Sequence, residues 1–237
     1  MNDTDPKSRL IVALDVPDRT TALQKVEQLS GKVGYFKLGL EIFTAEGPRL
    51  VEEIRDRGEN VFLDLKLHDI PNTVAGAVRS ICRLGVQMLT VHASGGAAML
   101  SAAMEAAQAT ARPPLILAVT ALTSLSEEDV ARLGVGQKVE QWVETLAGIA
   151  HDAGVRGLVA SSRELPMLRG KFSNDMKLVI PGIRPAGAAT QDQSRTATPG
   201  DAIRAGADFI VVGRPILKAE DPATAADAIV AEIRQAR

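Results

Sequence analysis

The chain has 237 residues, enough for one sizeable hydrophobic core but short for two ordinary enzyme domains. Its 27 Lys and Arg side chains nearly balance 29 Asp and Glu, which argues against a polyanion-binding surface, and 3% aromatic residues are too few for a base-stacking nucleic-acid surface. The single cysteine, Cys82, excludes an intramolecular disulfide and a multi-cysteine metal site. The polar opening segment 1–8, which predicts a tail, and the absence of an apolar run of about 18 residues favour a cytoplasmic protein without a leader or a membrane span.

Eight short apolar segments are predicted strands. They are rich in Val, Ile and Leu, which is typical of parallel strands that are covered on both faces. Segments with helical spacing lie between them, such as the one that begins at Pro222. The predicted strands are residues 10–15, 34–38, 60–66, 87–92, 115–120, 156–160, 177–181 and 208–213.

A glycine stands in the same place before four of these strands. Each follows a helical segment, which predicts a helix that ends in a left-handed glycine and a short loop into the strand; they are Gly58, Gly85, Gly154 and Gly206. Eight such units favour a (β/α)8 TIM barrel, an α/β fold forming a single domain over residues 1–237. An open, doubly wound sheet is the alternative, because local patterns do not reveal closure. The polar segment 184–200 predicts a long functional loop after the seventh strand.

Charged residues stand at the ends of three predicted strands. Asp64 and Lys66 are two residues apart on the third strand, so their side chains are expected on the same side. Asp15 follows the first strand, Lys37 lies on the second, and Asp69 follows the third. Charges inside a barrel are costly unless they are paired or functional. We therefore predict an alternating charge network at the carboxyl end of the barrel, with a simple strand-end salt bridge as the alternative.

A second group of residues predicts an anion site. Gly213 and Arg214 follow the eighth strand, where this fold usually binds phosphate, and Gln193 lies in the long loop 184–200. A solvated charge at the barrel rim is the alternative interpretation of Arg214. A metal site formed by His68 and His92 is a weaker hypothesis, because neither belongs to a helical pair of ligands.

The segment DLKLHDIPNT (64–73) resembles the signature of the bacterial form of the orotidine 5'-monophosphate decarboxylase family. The resemblance extends along the chain through VALDV (12–16), FKLGLE (36–41), VTALTS (119–124), VIPGIRP (179–185) and VVGRPI (211–216). A sister group, 3-keto-L-gulonate 6-phosphate decarboxylase and hexulose-phosphate synthase, shares D-x-K-x-x-D but uses a magnesium ion held partly by a glutamate on strand two. This chain has Lys37 on that strand, which favours the orotidylate enzymes.

The resemblance implies a carboxy-lyase of pyrimidine biosynthesis that converts orotidine 5'-monophosphate to uridine 5'-monophosphate and carbon dioxide without a cofactor or metal. It also implies a homodimer with active sites at the interface. By this resemblance Lys66 protonates the C6 carbanion, and Asp64 lies beside the departing carboxylate. Asp15 and Lys37 would bind ribose hydroxyls.

The remaining residues that the resemblance assigns lie at the ends of predicted strands or after them. Asp69 and Thr73 would enter the neighbouring subunit's site. Thr123 would contact the pyrimidine and Pro181 would line its pocket, while the phosphate would be held by Arg184, Gln193, Gly213 and Arg214. Two alternatives stay open: a magnesium-dependent sugar-phosphate decarboxylase or aldolase of the same superfamily, and a catalytically silent nucleotide-binding barrel.

Overall fold

The chain folds as a closed barrel of eight parallel strands. The structure, a computed structural model, describes residues 5–185 and 197–236. Each strand pairs with the next along the chain, and β8 pairs with β1, so the barrel prediction is confirmed over the open sheet. The strands are β1 Leu10–Ala13, β2 Tyr35–Leu38, β3 Val61–Leu67, β4 Met88–His92, β5 Leu115–Val119, β6 Gly157–Val159, β7 Lys177–Ile180 and β8 Phe209–Val212.

Helices follow the strands and cover the outside of the barrel. They are α1 Arg19–Leu29, α2 Leu40–Glu46, α3 Pro48–Asp56, α4 Pro71–Cys82, α5 Gly96–Gln108, α6 Glu127–Arg132, α7 Val139–Asp152, α8 Leu165–Phe172, α9 Pro199–Arg204, α10 Arg214–Leu217 and α11 Pro222–Gln235. Short 3₁₀ helices occupy Pro6–Arg9 and Ala93–Gly95. In the ranges that the structure describes, every helix falls short of the length and apolarity needed to cross a membrane.

Each observed strand overlaps its predicted segment, with shifts at the ends. β7 stops at Ile180, one residue short of the prediction, because Pro181 has no N–H to donate to the ladder. β3 instead continues to Leu67, one residue beyond the prediction, after its pairing with β4 shifts register. The repeated glycine junction is confirmed, since all four glycines have left-handed φ: Gly58 +83°, Gly85 +63°, Gly154 +87° and Gly206 +104°.

Apolar side chains fill two separate regions, inside the barrel and between the barrel and its helices. The outer region includes the predicted stripe of α3, where Leu50, Val51 and Ile54 are fully buried. The inner region is smaller and includes Phe62 and Val211. Because side chains alternate along a strand, the residues two positions further on also face the barrel axis, one layer closer to the carboxyl end. The inner apolar cluster is therefore the floor on which the polar residues stand.

Candidate active site

A cavity of about 260 Å³ opens at the carboxyl end of the strands. Its walls bring together nine of the residues predicted from the sequence, although these residues come from six different strand ends and loops. The nine are Asp15, Lys37, Asp64, Lys66, Thr123, Pro181, Arg184, Gly213 and Arg214. This convergence is what the barrel topology predicts for side chains at the carboxyl ends of parallel strands.

Four of the lining residues form the predicted alternating charge network. Lys37 Nζ lies 3.6 Å from Asp15 Oδ1 and 3.3 Å from Asp64 Oδ2. Lys66 Nζ donates a hydrogen bond to the other oxygen of Asp64, Oδ1, at 2.9 Å. The side chains of Lys37 and Asp64 are 12% and 11% exposed, so these two charges are held largely out of water. Opposite charges alternate along the network and its two central members are buried, so a surface salt bridge does not describe this arrangement.

Asp64 is the centre of the network and is ionised at neutral pH. Burial raises the pKa of its carboxyl, but the Lys37 and Lys66 ammoniums, followed by hydrogen bonds from Lys66 and Thr90, outweigh burial and bring the pKa below its ordinary value. The charged, buried carboxylate of Asp64 holds the ammonium groups of Lys37 and Lys66 in place. The arrangement thus fixes the Lys66 side chain at one end of the network by a hydrogen bond to a buried carboxylate.

Thr90 is a site residue that sequence reasoning missed. It is fully buried on β4, and its hydroxyl donates a hydrogen bond to Asp64 Oδ1 at 2.9 Å. The signal that could have found it is the polar threonine in the middle of the apolar strand MLTVH. A buried hydroxyl in such a strand needs a partner, and the neighbouring strand β3 supplies the carboxylate of Asp64.

The apolar part of the cavity wall was also missed. Its larger side chains on the strands lie two positions before a predicted site residue or loop start, so the two-residue period of the strands contained the signal. These residues are Phe62, Val119, Val159, Val179 and Val211.

Two arginines line the side of the cavity formed by the loops after β7 and β8. Arg184 is 9% exposed, and its backbone N–H donates to the carbonyl of Ala197 at 3.0 Å, which ties the two ends of the long loop together. Arg214 follows Gly213 and begins α10. Two guanidinium groups on one wall are suited to a phosphate. Gln193, the third residue predicted there, lies outside the described residues.

Asp69 and Thr73 do not line the cavity of their own chain. Both are exposed, in the loop after β3 and the first turn of α4. Asp69 accepts a hydrogen bond from the backbone N–H of Ile70 at 2.6 Å, and Ile70 itself is 67% exposed. Their assignment to a neighbouring subunit's site stays a prediction.

His68 and His92 lie side by side next to the charge network, with ring centroids 5.3 Å apart. Across residues 5–185 and 197–236, no group of three or more His, Cys, Asp or Glu side chains is arranged to hold a metal ion. The Nδ1 atom of His92 is buried and has no hydrogen-bond partner in that part of the chain. Burial lowers the pKa of His92, and the nearby His68 and Lys66 lower it further against a smaller opposite effect of Asp64.

This depressed pKa predicts a pH-dependent stability. Below the ordinary histidine pKa of 6.5, His92 is protonated in the unfolded chain but stays neutral in the folded protein until the pH reaches its lower folded pKa. Proton binding therefore favours the unfolded state, and the free energy of unfolding decreases as the pH falls from 6.5 through the folded pKa. We expect the unfolding free energy of wild type to fall more between about pH 7.5 and 5.5 than that of His92→Gln. Urea unfolding at both pH values measures this. His151→Gln, which removes a half-exposed histidine on α7, is the control, and equal pH dependence of wild type and His92→Gln would contradict the prediction.

Comparisons of the sequence and of the structure with known proteins point to the same family. The sequence model of the orotidine 5'-phosphate decarboxylase / HUMPS family matches residues 8–229. The chain is 51% identical to the orotidine 5'-phosphate decarboxylase of Syntrophotalea carbinolica, covering 98% of this chain and 97% of that protein. It is 50% identical to the enzyme of the same name from Moorella thermoacetica, covering 98% and 94%. The crystal structure of orotidine 5'-phosphate decarboxylase from Lactobacillus acidophilus is similar with a TM-score of 0.84 and 36% identity, over 94% of this chain and 98% of that one.

Proposed function

The chain belongs to the orotidine 5'-phosphate decarboxylase / HUMPS family, and we propose that it is a carboxy-lyase that converts orotidine 5'-monophosphate to uridine 5'-monophosphate and carbon dioxide. This is the last step of de novo pyrimidine nucleotide synthesis. The observation that carries the proposal is the alternating network Asp15–Lys37–Asp64–Lys66 inside one cavity. Its two ends match the two demands of the reaction, a site for ribose hydroxyls and a proton donor.

The chemistry explains why a charge network serves this reaction. When the bond between C6 and the carboxylate breaks, the electron pair stays on C6 and carbon dioxide leaves. That carbanion has no internal electron sink, so stabilisation must come from charge that is already in place. The Lys66 ammonium supplies it and then transfers its proton to C6, which leaves the amine to regain a proton from solvent. Asp64 orients Lys66 by accepting a hydrogen bond from its Nζ at 2.9 Å.

The rest of the cavity accommodates the remainder of the nucleotide. In this proposal Asp15 and Lys37 bind the ribose hydroxyls, and Thr123 and Pro181 contact the pyrimidine. The phosphate is held by the wall formed by Arg184, Gly213 and Arg214 together with Gln193. The common lining of one cavity by these residues supports the proposal, whereas the part of the nucleotide assigned to each of them, and the whole assignment of Gln193, rest on the family resemblance.

We also propose a homodimer in the cytoplasm, with Asp69 and Thr73 completing the neighbouring subunit's site. The exposed positions of Asp69 and Thr73, next to the 67% exposed Ile70, support this arrangement. An exposed apolar side chain beside a catalytic loop is suited to an interface.

The proposed reaction needs no cofactor or metal. Two ammoniums, those of Lys37 and Lys66, flank Asp64 within 3.3 Å, and both would repel a divalent cation at that carboxylate. Lys37 distinguishes the site from the magnesium-dependent sugar-phosphate enzymes of the same superfamily, which share the D-x-K-x-x-D pattern of Asp64 and Lys66 but have a glutamate on strand two.

The experiment is to follow the absorbance of orotidine 5'-monophosphate after mixing with metal-depleted protein in a chelator. We expect it to fall at the rate seen with magnesium added back. Activity that requires magnesium would point to the metal-dependent alternative. Binding of uridine 5'-monophosphate without any loss of orotidylate would identify a catalytically silent barrel.

Arg214 provides a sharper test of phosphate recognition. Arg214→Ala is expected to lower kcat/KM for orotidine 5'-monophosphate by about 10- to 100-fold, because charge-assisted hydrogen bonds are lost. It should leave turnover of orotidine, which has no phosphate, nearly unchanged. Arg234→Ala, on the exposed face of α11, is the matched control. Equal losses with both substrates would remove Arg214 from the phosphate site.

The wild-type protein can also be compared with orotidine 5'-monophosphate and with orotidine as substrates, to test whether phosphate binding accelerates the decarboxylation step. We expect a lower kcat with orotidine even at saturation, because binding energy from the remote phosphate no longer helps to hold the charge network around the reacting carbon. Steady-state kinetics with both substrates measures this. An unchanged kcat would show that the phosphate contributes to affinity alone.

A further inference from the structure

Strand β3 is irregular at the point where it carries the proton donor. It pairs in register with β4 at Phe62–Met88 and Leu63–Leu89, but then Leu67 lies opposite Val91. From Leu63 to Leu67, β3 moves on by four residues, while its partner β4 moves on by only two, from Leu89 to Val91. This mismatch is a β-bulge in β3. Lys66 lies in this bulge with φ +50°, in the left-handed region that costs a residue with a side chain energy unless its surroundings hold it there.

Thr90 lies directly against this bulge. The backbone N–H of Lys66 donates a hydrogen bond to Thr90 Oγ1 at 2.9 Å, and the hydroxyl donates to Asp64 Oδ1, also at 2.9 Å. An amide N–H is always a donor, so the hydroxyl must accept there and direct its hydrogen to the carboxylate. The same Oδ1 accepts from Lys66 Nζ. One hydroxyl thus connects the strained backbone of Lys66 to the carboxylate that holds its ammonium.

We propose that Thr90 is a positioning residue for the decarboxylation, which fixes Lys66 and Asp64 relative to each other through its hydroxyl. This inference rests on the proposed function. Proton transfer and charge stabilisation depend on distances held to within a fraction of an ångström, so loosening the bulge lowers turnover. Thr90 is fully buried and is not among the residues that line the cavity, so its loss affects substrate binding much less.

The test is a series of substitutions that separates the hydroxyl from the size of the side chain. Thr90→Ser keeps the hydroxyl, whereas Thr90→Val and Thr90→Ala remove it in a similar and a smaller side chain. We expect kcat to fall about 10- to 100-fold in the Val and Ala variants, as for a lost hydrogen bond to a charged group, with KM changed less than about threefold. The Ser variant should stay within about fivefold of wild type.

Thr120→Val is the matched control. Thr120 is also a buried threonine near the carboxyl end of the strands, but its hydroxyl donates to the backbone carbonyl of Val159 at 3.1 Å. Its loss should lower stability with little change in kcat. Urea unfolding, and titration of each variant with uridine 5'-monophosphate to count folded sites, keep stability apart from turnover.

The outcomes distinguish this inference from the function on which it rests. An inactive wild type would refute the decarboxylase assignment. An active wild type with equally active Val and Ala variants would refute the positioning role of Thr90. So would equal losses in the Ser, Val and Ala variants, or a loss in KM with kcat retained. Because Ala and Val differ in size, the series remains decisive if one of them fails to fold.

Discussion

Lys66→Ala is expected to lower kcat by about 10³-fold or more while the protein remains folded and binds uridine 5'-monophosphate. The variant loses both the proposed proton donor and one of the two ammoniums beside Asp64. Asp64 keeps Lys37 at 3.3 Å and the hydroxyl of Thr90, so its charge stays paired and the barrel is not expected to unfold. The loss therefore falls on the chemical step far more than on ground-state binding.

Single-turnover kinetics and titration with uridine 5'-monophosphate measure the two effects separately. Lys66→Arg retains a cation but is a poor proton donor near neutral pH, so it should recover little of the activity. Lys171→Ala, at the exposed end of α8, is the control for removing a lysine and should behave as wild type. A purified Lys66→Ala protein with near-wild-type kcat would refute Lys66 as the proton donor.

The fold was predictable because its two repeating signals are local. Apolar runs such as LIVAL (10–14) mark strands that are buried on both faces, and glycines such as Gly206 mark the end of each helix. Closure of the barrel is not a local property. It depends on β8 pairing with β1, from Leu10–Ile210 to Val12–Val212, between segments about 200 residues apart in the chain. The number of strand–helix units was the evidence for it.

The site was predictable where charge stands at a strand end, as at Lys37 and Asp64. The alternation of a strand placed Asp64 and Lys66 on one side, and their side chains do meet, but through a bulge that the alternation did not predict. Thr90 was missed because threonine is an ordinary strand residue until its partner on the next strand is known. Contacts across strands, unlike spacing along one, are set by register.

Two inactive variants are expected to restore activity to each other. In the proposed dimer each site takes Lys66 from its own subunit and Asp69 from the neighbour. Asp69→Ala and Lys66→Ala proteins should each be nearly inactive. A mixed dimer has one site with both residues intact and one site with neither. Random pairing of equal amounts makes about half the dimers mixed, with one good site in two, so roughly a quarter of wild-type activity should return.

Lys66→Ala mixed with Asp64→Ala is the matched control, because both changes then affect a subunit's own cavity, and no mixed dimer has an intact site. Asp64 and Lys66 are in contact within one chain, at 2.9 Å, whereas Asp69 does not line the cavity of its own chain. Subunit exchange is verified by mass tagging before activity is measured. If mixed dimers form and the Asp69→Ala and Lys66→Ala pair stays as inactive as the control pair, Asp69 acts within its own subunit. Recovery in the first pair alone requires a site shared between two chains.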